Sequence, residues 1–315
     1  MRTKSKALEL SEADWDRLRV ACGRNQIDPT RGILSSTSVT WRVNREVAIL
    51  GGGGCALLLQ VAHPLVAAGV ARFSNYRREP LQRLYRTLDL MLTITFSTAA
   101  EAIAAVRQIE RRHAKVRGRL QEAVGRYARG TEYDANAPDL QLWVHATLVD
   151  TAPRVYRMFI GPLSDDELDV YYEESKVVGR MLGIPPEHLP RRRRDFDAYM
   201  HDMLAGDTLA VGDAAQDIAS SILAPSKPFG LRYLLPPVNL LTVGLLPERL
   251  RAEYGLSWSS WQEYALRALV TASQSVLSIL PDSLRLFPHA RAAVAREASS
   301  VPSTHPERRV AEESL

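Results

Sequence analysis

An all-α fold is what this sequence predicts, on three observations. Apolar residues recur at steps of three and four through most of the chain, and no alternating run calls for a strand. Several periodic stretches open on a Ser or Thr followed three residues later by an acid, the signature of a capped helix start. With 46% hydrophobic and 24% charged residues among 315, the chain has room for a large core. No repeat, low-complexity block or linker interrupts it. The expected organisation is an N-terminal helix and polar connection at 1–40, one globular helical domain at 41–298, and a disordered tail at 299–315.

Taken in order, 7–22 reads as the first helix, with Ser11 and Asp14 as a cap inside it, and 23–40 as a connection rich in Gly, Ser and Thr. A helix at 44–63 follows, interrupted at Gly51, Gly52, Gly53 and Gly54. Pro64 has no amide hydrogen and disfavours helical geometry at His63, so the run bends there into a short helix at 65–72. Pro80 starts the next helix, to about 97. Thr98 with Glu101 caps the helix that carries His113 and stops near Gly118, with a continuation through Leu120 to Tyr127 left open. A turn-rich loop at 130–138 leads into a helix at 139–159, carrying His145 and bent at Pro153. Ser164 and Glu167 cap another, ending near Gly183; further helices fit 195–206, 213–223, 247–253, 258–280 and 288–297. The apolar, proline-broken stretch 234–246 reads as a buried or interfacial loop.

The net charge of +4 and a pI near 9.1 permit contact with an acidic surface without demanding nucleic acid. Cys22 and Cys55 make no disulfide framework, no CxxC pair and no CxxCH attachment for a covalent haem. The first six residues lead into an acidic helix rather than an apolar run, so the expectation is a reducing cytoplasm, with peripheral membrane contact left open. Residues 47–71 contain no Asp, Glu, Lys or Arg and are long enough to span a bilayer. Their four glycines, Gln60, His63 and Pro64 favour a bent, buried core helix instead.

Three histidines sit in apolar helical patterns: His63, His113 and His145. His113 shares a face with Ala102, Val106, Ile109 and Val116, while Arg107, Glu110, Arg111, Lys115 and Arg117 fall mostly elsewhere. An inward imidazole needs a partner, either a carbonyl or water or else a metal or haem iron; the helix by itself leaves both open. His145 shares its face with Leu142 and Val149, and His63 at the bend is placed to bond a freed carbonyl. Arg83 and Thr87 are one turn apart on a helix that continues apolar, where they either position a polarised oxygen or join a salt bridge to Glu79 or Asp89. There is no HExxH, no P-loop, no dinucleotide fingerprint and no GxSxG; Glu110-x-x-His113 is half of a di-iron pattern without its second copy. The glycine run lacks the Lys-Ser/Thr of a phosphate loop and reads as close helix packing.

Taken together, these segments resemble one family. They are Glu46 with Leu50-Gly51-Gly52-Gly53, then Ala56-Leu57-Leu58-Leu59-Gln60-Val61-Ala62-His63-Pro64-Leu65-Val66-Ala67-Ala68-Gly69-Val70. Arg83-Leu84-Tyr85-Arg86-Thr87, His113-Ala114-Lys115-Val116-Arg117 and Leu142-Trp143-Val144-His145-Ala146 follow in order, with Gly161-Pro162-Leu163-Ser164 and Tyr171-Tyr172-Glu173-Glu174 further on. Over roughly residues 40–250 the chain is similar to the MpaB-type oxygenases, related to the rubber oxygenases known as latex clearing proteins. The resemblance implies an all-α fold enclosing a non-covalent haem b that uses O2. It implies His113 as the iron's protein ligand, Arg83 and Thr87 as catalytic groups on the other side, and His145 as another histidine near the site; His63, part of the hallmark motif, is counted with the cofactor-binding residues without a role carried over from the family. An apolar small molecule, isoprenoid-like or lipid, is the implied substrate, lined by the helices of Leu57 to Val61 and Leu88 to Phe96. Cys55 stands where the family often has Arg, and Phe73 where it often has His, so no particular substrate is inherited. A haem sensor or carrier without turnover, and a metal-free helical protein of the membrane surface, are the rival readings.

Overall fold

The first helix opens at its N-cap, Ser11, inside the expected 7–22 stretch. The computed structural model describes residues 10–74, 80–224 and 235–299, side chains of 80–84 excepted. Helix α1 is Glu12–Cys22, and the Ser11 amide donates to the Asp14 carboxylate at 2.7 Å, completing a capping box. Gly23 closes the helix in the left-handed region, at φ 63°. The earlier part of the expected 7–22 helix lies outside the described residues.

The expected helix at 44–63 is divided. Helix α2, Val39–Asn44, is capped by Ser38; a 3-10 turn, Val47–Gly52, then leads into α3, Gly53–Val61. The glycines act by absence of side chain. A Cβ on Gly51 would come within 2.6 Å of Leu241, and one on Gly52 within 2.6 Å of Thr151 and 2.7 Å of Val155. One on Gly54 would overlap Thr242, whereas Gly53 has open space around it. Close helix packing therefore accounts for three of the four. At His63 the chain turns by 106° into α4, Pro64–Phe73, the bend that Pro64 dictates. No single helix among the described residues is long and apolar enough to cross a membrane.

Helix α5, Pro80–Phe96, and α6, Ala99–His113, form a hairpin joined at Ser97 and Thr98, with the Thr98–Glu101 capping box in place. Beyond His113 the helix does not continue. Instead β1, Arg117–Arg119, pairs antiparallel with β2, Glu132–Asp134, in the register Gly118↔Tyr133. Gly125 and Gly130, at φ 55° and 88°, turn the intervening chain where a helix through Leu120 to Tyr127 was open to expectation.

Helix α7, Pro138–Phe159, runs through Pro153; α8 is Asp165–Met181, opened by the Ser164–Glu167 box. Helices α9, Arg193–Ala205, and α10, Asp213–Leu223, follow. Helix α11, Leu235–Leu245, replaces the loop expected at 234–246. Pro236 and Pro237 fall in its first turn, where amide hydrogens have no intrahelical partner, and Leu241, Thr242 and Leu245 are buried. Helices α12, Glu248–Glu253, α13, Ser260–Ile279, α14, Asp282–Arg285, and α15, Pro288–Ser299, complete the chain; the tail at 300–315 lies outside the described residues.

The largest core gathers α3, α4, α7, α10 and α11 around fully buried Trp143, Leu58 and Leu59. A second joins α1, α5, α6 and α8 through Leu18, Ile94, Ile103, Val106 and Met181. A third seats α15 on α5 through Phe96, Trp41, Phe287 and Ala290. Among the described residues the fold is mostly helical, as expected, with a hairpin of two three-residue strands as the exception.

Candidate functional site

The hairpin of α5 and α6 determines which candidate residues meet. Arg83 lies 14 residues before Ser97 and His113 lies 15 after Thr98. At 1.5 Å per residue both are about 21 Å from the turn, so they stand at the same end of the pair. Thr87 lies one turn along from Arg83, on the exposed side of α5. The opposite end is closed: residues 29–32 cover the turn, with the Ala99 amide donating to the Arg31 carbonyl at 2.7 Å.

His113 is the last residue of α6. The inward stripe foreseen for this helix holds, with Ala102 and Val106 fully buried, and fades to half-buried at Ile109 and His113. Burial pushes the His113 pKa below its ordinary value, against the pull of Asp134 and Glu110, so the ring is neutral. Its side chain makes no hydrogen bond or ion pair to a described residue. Its carbonyl accepts from the Val116 amide at 2.8 Å, and Val116 then packs against Gly69 of α4, at 3.1 Å from where a Cβ would stand. The chain on leaving His113 is thus pinned to α4. The half di-iron pattern is occupied otherwise, since Glu110 pairs with Arg17 of α1. Asp89, one salt-bridge partner considered for this pair, meets His289 Nε2 at 3.2 Å; Glu79 and the Arg83 side chain lie outside what is described.

His63 is fully engaged. Extended at φ −80° and ψ 117°, it caps α4: its Nδ1 accepts from the Leu65 amide at 3.3 Å. Nε2 therefore carries the proton and donates to the Tyr127 hydroxyl at 3.2 Å. Burial pushes its pKa down to about 4. The bond expected here was to a freed carbonyl; the geometry gives an amide and a phenol instead. Tyr127 was not singled out as a partner, and it lies 64 residues away in sequence.

His145 is buried between α7 and α8, with Nε2 against Gly179 and bonded to the Ser175 backbone. Its Nδ1 is buried without a partner, and burial pushes its pKa down to about 4. Helix α8 turns Val178 and Met181 toward the α6 core and Gly179 toward His145. The helix of Leu57 to Val61 does not line open space: Leu58, Leu59 and Val61 are closed into the main core, and Leu92 and Phe96 pack on Trp41 and Phe287. Phe73 at the end of α4 and Tyr85 in α5 are exposed.

A further buried charge went unread in the sequence. Glu46 is 1% exposed, with Arg45 Nε at 3.4 Å and Arg285 Nε at 3.3 Å; burial pushes its carboxyl up and the two guanidiniums pull it back. It ties the segment before α15 to the entrance of the glycine turn. No sequence pattern marks Arg285 as the partner, 239 positions away.

Known proteins bear on this arrangement in sequence alone, as no solved structure matches the chain. Two uncharacterized mycobacterial proteins, Mb2261 of Mycobacterium bovis and Rv2237 of Mycobacterium tuberculosis, are each 29% identical over 240 residues, 74% of this chain and 88% of theirs. Residues 41–275, from Trp41 in α2 to Ser275 in α13, match the family described as "ER-bound oxygenase mpaB/B'/Rubber oxygenase, catalytic domain". With the α5–α6 hairpin, the His63–Pro64 bend and the His145 helix all inside that span, the chain belongs to the MpaB and rubber-oxygenase family.

Proposed function

We propose that this oxygenase-family protein is a haem b enzyme that uses O2 to oxidise an apolar, isoprenoid-like or lipid substrate, with 41–298 as its catalytic unit. One observation carries the reading: a neutral, half-buried imidazole without a described partner, His113, at the same hairpin end as Arg83 and Thr87. The residues fit the group. Among the described residues no three His, Cys, Asp or Glu side chains converge on a point. A haem brings four nitrogen donors and asks the protein for one, which His113 has to give. His63 has no lone pair to spare, and His145 is enclosed between helices. The exposed cations Arg111, Arg112 and Lys115 beside His113 suit the carboxylates at a haem's edge.

Bound haem would supply the iron that activates O2. His113 would hold the iron through a ring that burial keeps unprotonated, and the Val116–Gly69 contact fixes the chain that carries it. Arg83 would supply a permanent positive charge with directional donors and Thr87 a hydroxyl toward the oxygen side of that group, the roles that the family resemblance implies. His63 acts at one remove, holding the α3–α4 bend and the loop after His113 through Tyr127. The test is O2 uptake by haem-reconstituted protein with polyprenyl and unsaturated-lipid substrates. Wild type consumes O2, and Arg83→Ala keeps its Soret band while losing about 100- to 1000-fold in rate. A Soret band with no uptake on any substrate indicates a sensor or carrier, and no Soret band a metal-free protein.

A further inference from the structure

Beyond the family's matched span, which ends at 275, the chain folds back over its own body as a strap. The Phe287 amide donates to the Arg45 carbonyl at 2.9 Å, and α15 then lies along α5. Its inward stripe is thin. Phe287, Ala290 and Ala293 are buried, whereas Arg291, Ala292, Val294 and Ala295 are exposed. The apolar floor beneath is broader: Leu88, Leu92 and Phe96 of α5, Trp41 of α2, and Val47 and Ile49 of the 3-10 turn. Trp41 stands edge-on to Phe96 at 4.8 Å. Leu88 directly follows Thr87, and from it to Phe96 the stripe runs about 12 Å along α5.

The seam between strap and body is poorly satisfied. Arg285 Nε lies 3.3 Å from Glu46 Oε2, yet neither atom makes a hydrogen bond. His289 meets Asp89 through Nε2 at 3.2 Å and buries Nδ1 without a partner. These three are half of the six buried side-chain polar atoms that lack a hydrogen bond among the described residues. A permanent core seam pairs its polar groups, whereas lifting this strap returns all three atoms to water. The far end is tied only by half-buried side chains, Arg296 donating to the Phe96 carbonyl at 2.8 Å and Glu297 accepting from Ser36. One aromatic ring and two methyl-sized side chains, set against three desolvated atoms, make α15 an element of low local stability.

We propose that α15 is an internal plug seated in a ligand groove, and that the groove takes an apolar chain, isoprenoid-like or acyl, when the strap lifts. Plug and ligand compete for the same floor, so a ligand that binds only the open form shifts the chain toward it. Phe287 is the side chain that the ligand replaces, and Ala290 and Ala293 are small enough to leave the floor intact when they withdraw. A chain lying on this floor reaches Leu88 beside Thr87, at the hairpin end where oxidation is proposed. The ligand's class rests on the function proposed above; the movement of the strap asks nothing of the haem.

The test uses the full chain and cis-parinaric acid, a conjugated polyene fatty acid that fluoresces in apolar surroundings. Fluorescence reads binding, and hydrogen–deuterium exchange reads the strap. In wild type saturated with the probe, the amides of α15 lose protection while those from Leu88 to Phe96 keep theirs. Ala293→Glu sets a charge against the floor and prevents docking. It keeps the helical circular dichroism of the body and binds the probe about a hundredfold tighter, as for a groove otherwise open in about one molecule in a hundred. Phe287→Ala, which thins the plug without adding charge, lies between, and Ala292→Glu on the exposed side binds as wild type does. Amides of α15 that stay protected under saturating probe overturn the inference, as does an Ala293→Glu chain that binds no tighter or melts as a whole. A chain without a Soret band that still releases α15 to the probe sustains the plug and removes the haem reading; a haem-bearing, oxidising chain whose α15 stays docked does the reverse.

Discussion

The packed junction of α3, α7 and α11 and the open end of the α5–α6 hairpin treat polar side chains in opposite ways. In the junction, backbone approach is so close that glycine is required at 51, 52 and 54. The histidines around it, His63 and His145, are enclosed and held neutral by burial, with His63 spent on an amide and a phenol. At the hairpin end, His113 is neutral as well, yet only half-buried and without a described partner, and Thr87 faces outward. Depressed basicity is therefore common to all three rings and does not single out a ligand. What separates them is whether a nitrogen is left over where a ligand can reach it: His63 has none, the unpartnered Nδ1 of His145 is enclosed between helices, and His113 is only half-buried.

The contrast breaks hardest at Gly54. Gly54→Val drives a branched side chain into buried Thr242, which cannot swing aside, and is expected to cost about 3 kcal/mol or more in urea unfolding. Unchanged stability would refute close packing as the reason for the glycines.

Acid comes next. The folded chain holds His63 and His145 neutral down to about pH 4, whereas in the unfolded chain they take up protons from about 6.5 downward. Unfolding then gains protons, so stability is complete above pH 6.5 and falls as pH drops from 6.5 to about 4. Across that interval each ring removes on the order of 3 kcal/mol of stability. His63→Asn keeps a capping side chain without the titration, and thermal melts of that variant should lose less stability over the same interval. An unaltered pH dependence would place the titration elsewhere.

Smaller again is Tyr127→Phe, which leaves His63 Nε2–H without its acceptor and is expected to cost about 1 kcal/mol by the same unfolding assay. The smallest effect belongs to Gly53→Ala. With open space at its Cβ position and a helical backbone, it is expected to be neutral or to stabilise by up to about 1 kcal/mol.

Local chemistry made much of this legible in advance. The Thr98–Glu101 and Ser164–Glu167 boxes and the His63–Pro64 bend depend on neighbours a few residues apart, and each stands where the pattern puts it. The β-hairpin escaped because three-residue strands are too short to show alternation. Helix α11 escaped because prolines read as breakers unless the first turn is known to begin there. Tyr127 for His63 and Arg285 for Glu46 are contacts of the fold, which no local pattern encodes. The inward direction of His113 was visible in its helix, but that α5 returns Arg83 to the same end depends on the hairpin.

The most direct measurement is the absorbance spectrum of haem-reconstituted wild type beside His113→Ala, His145→Ala and His63→Asn, each checked for folding by circular dichroism. A Soret band lost or shifted in His113→Ala, and retained with unchanged ligation bands in His63→Asn, is the predicted result. An unchanged spectrum in folded His113→Ala would contradict the assignment of the hairpin end as the haem site.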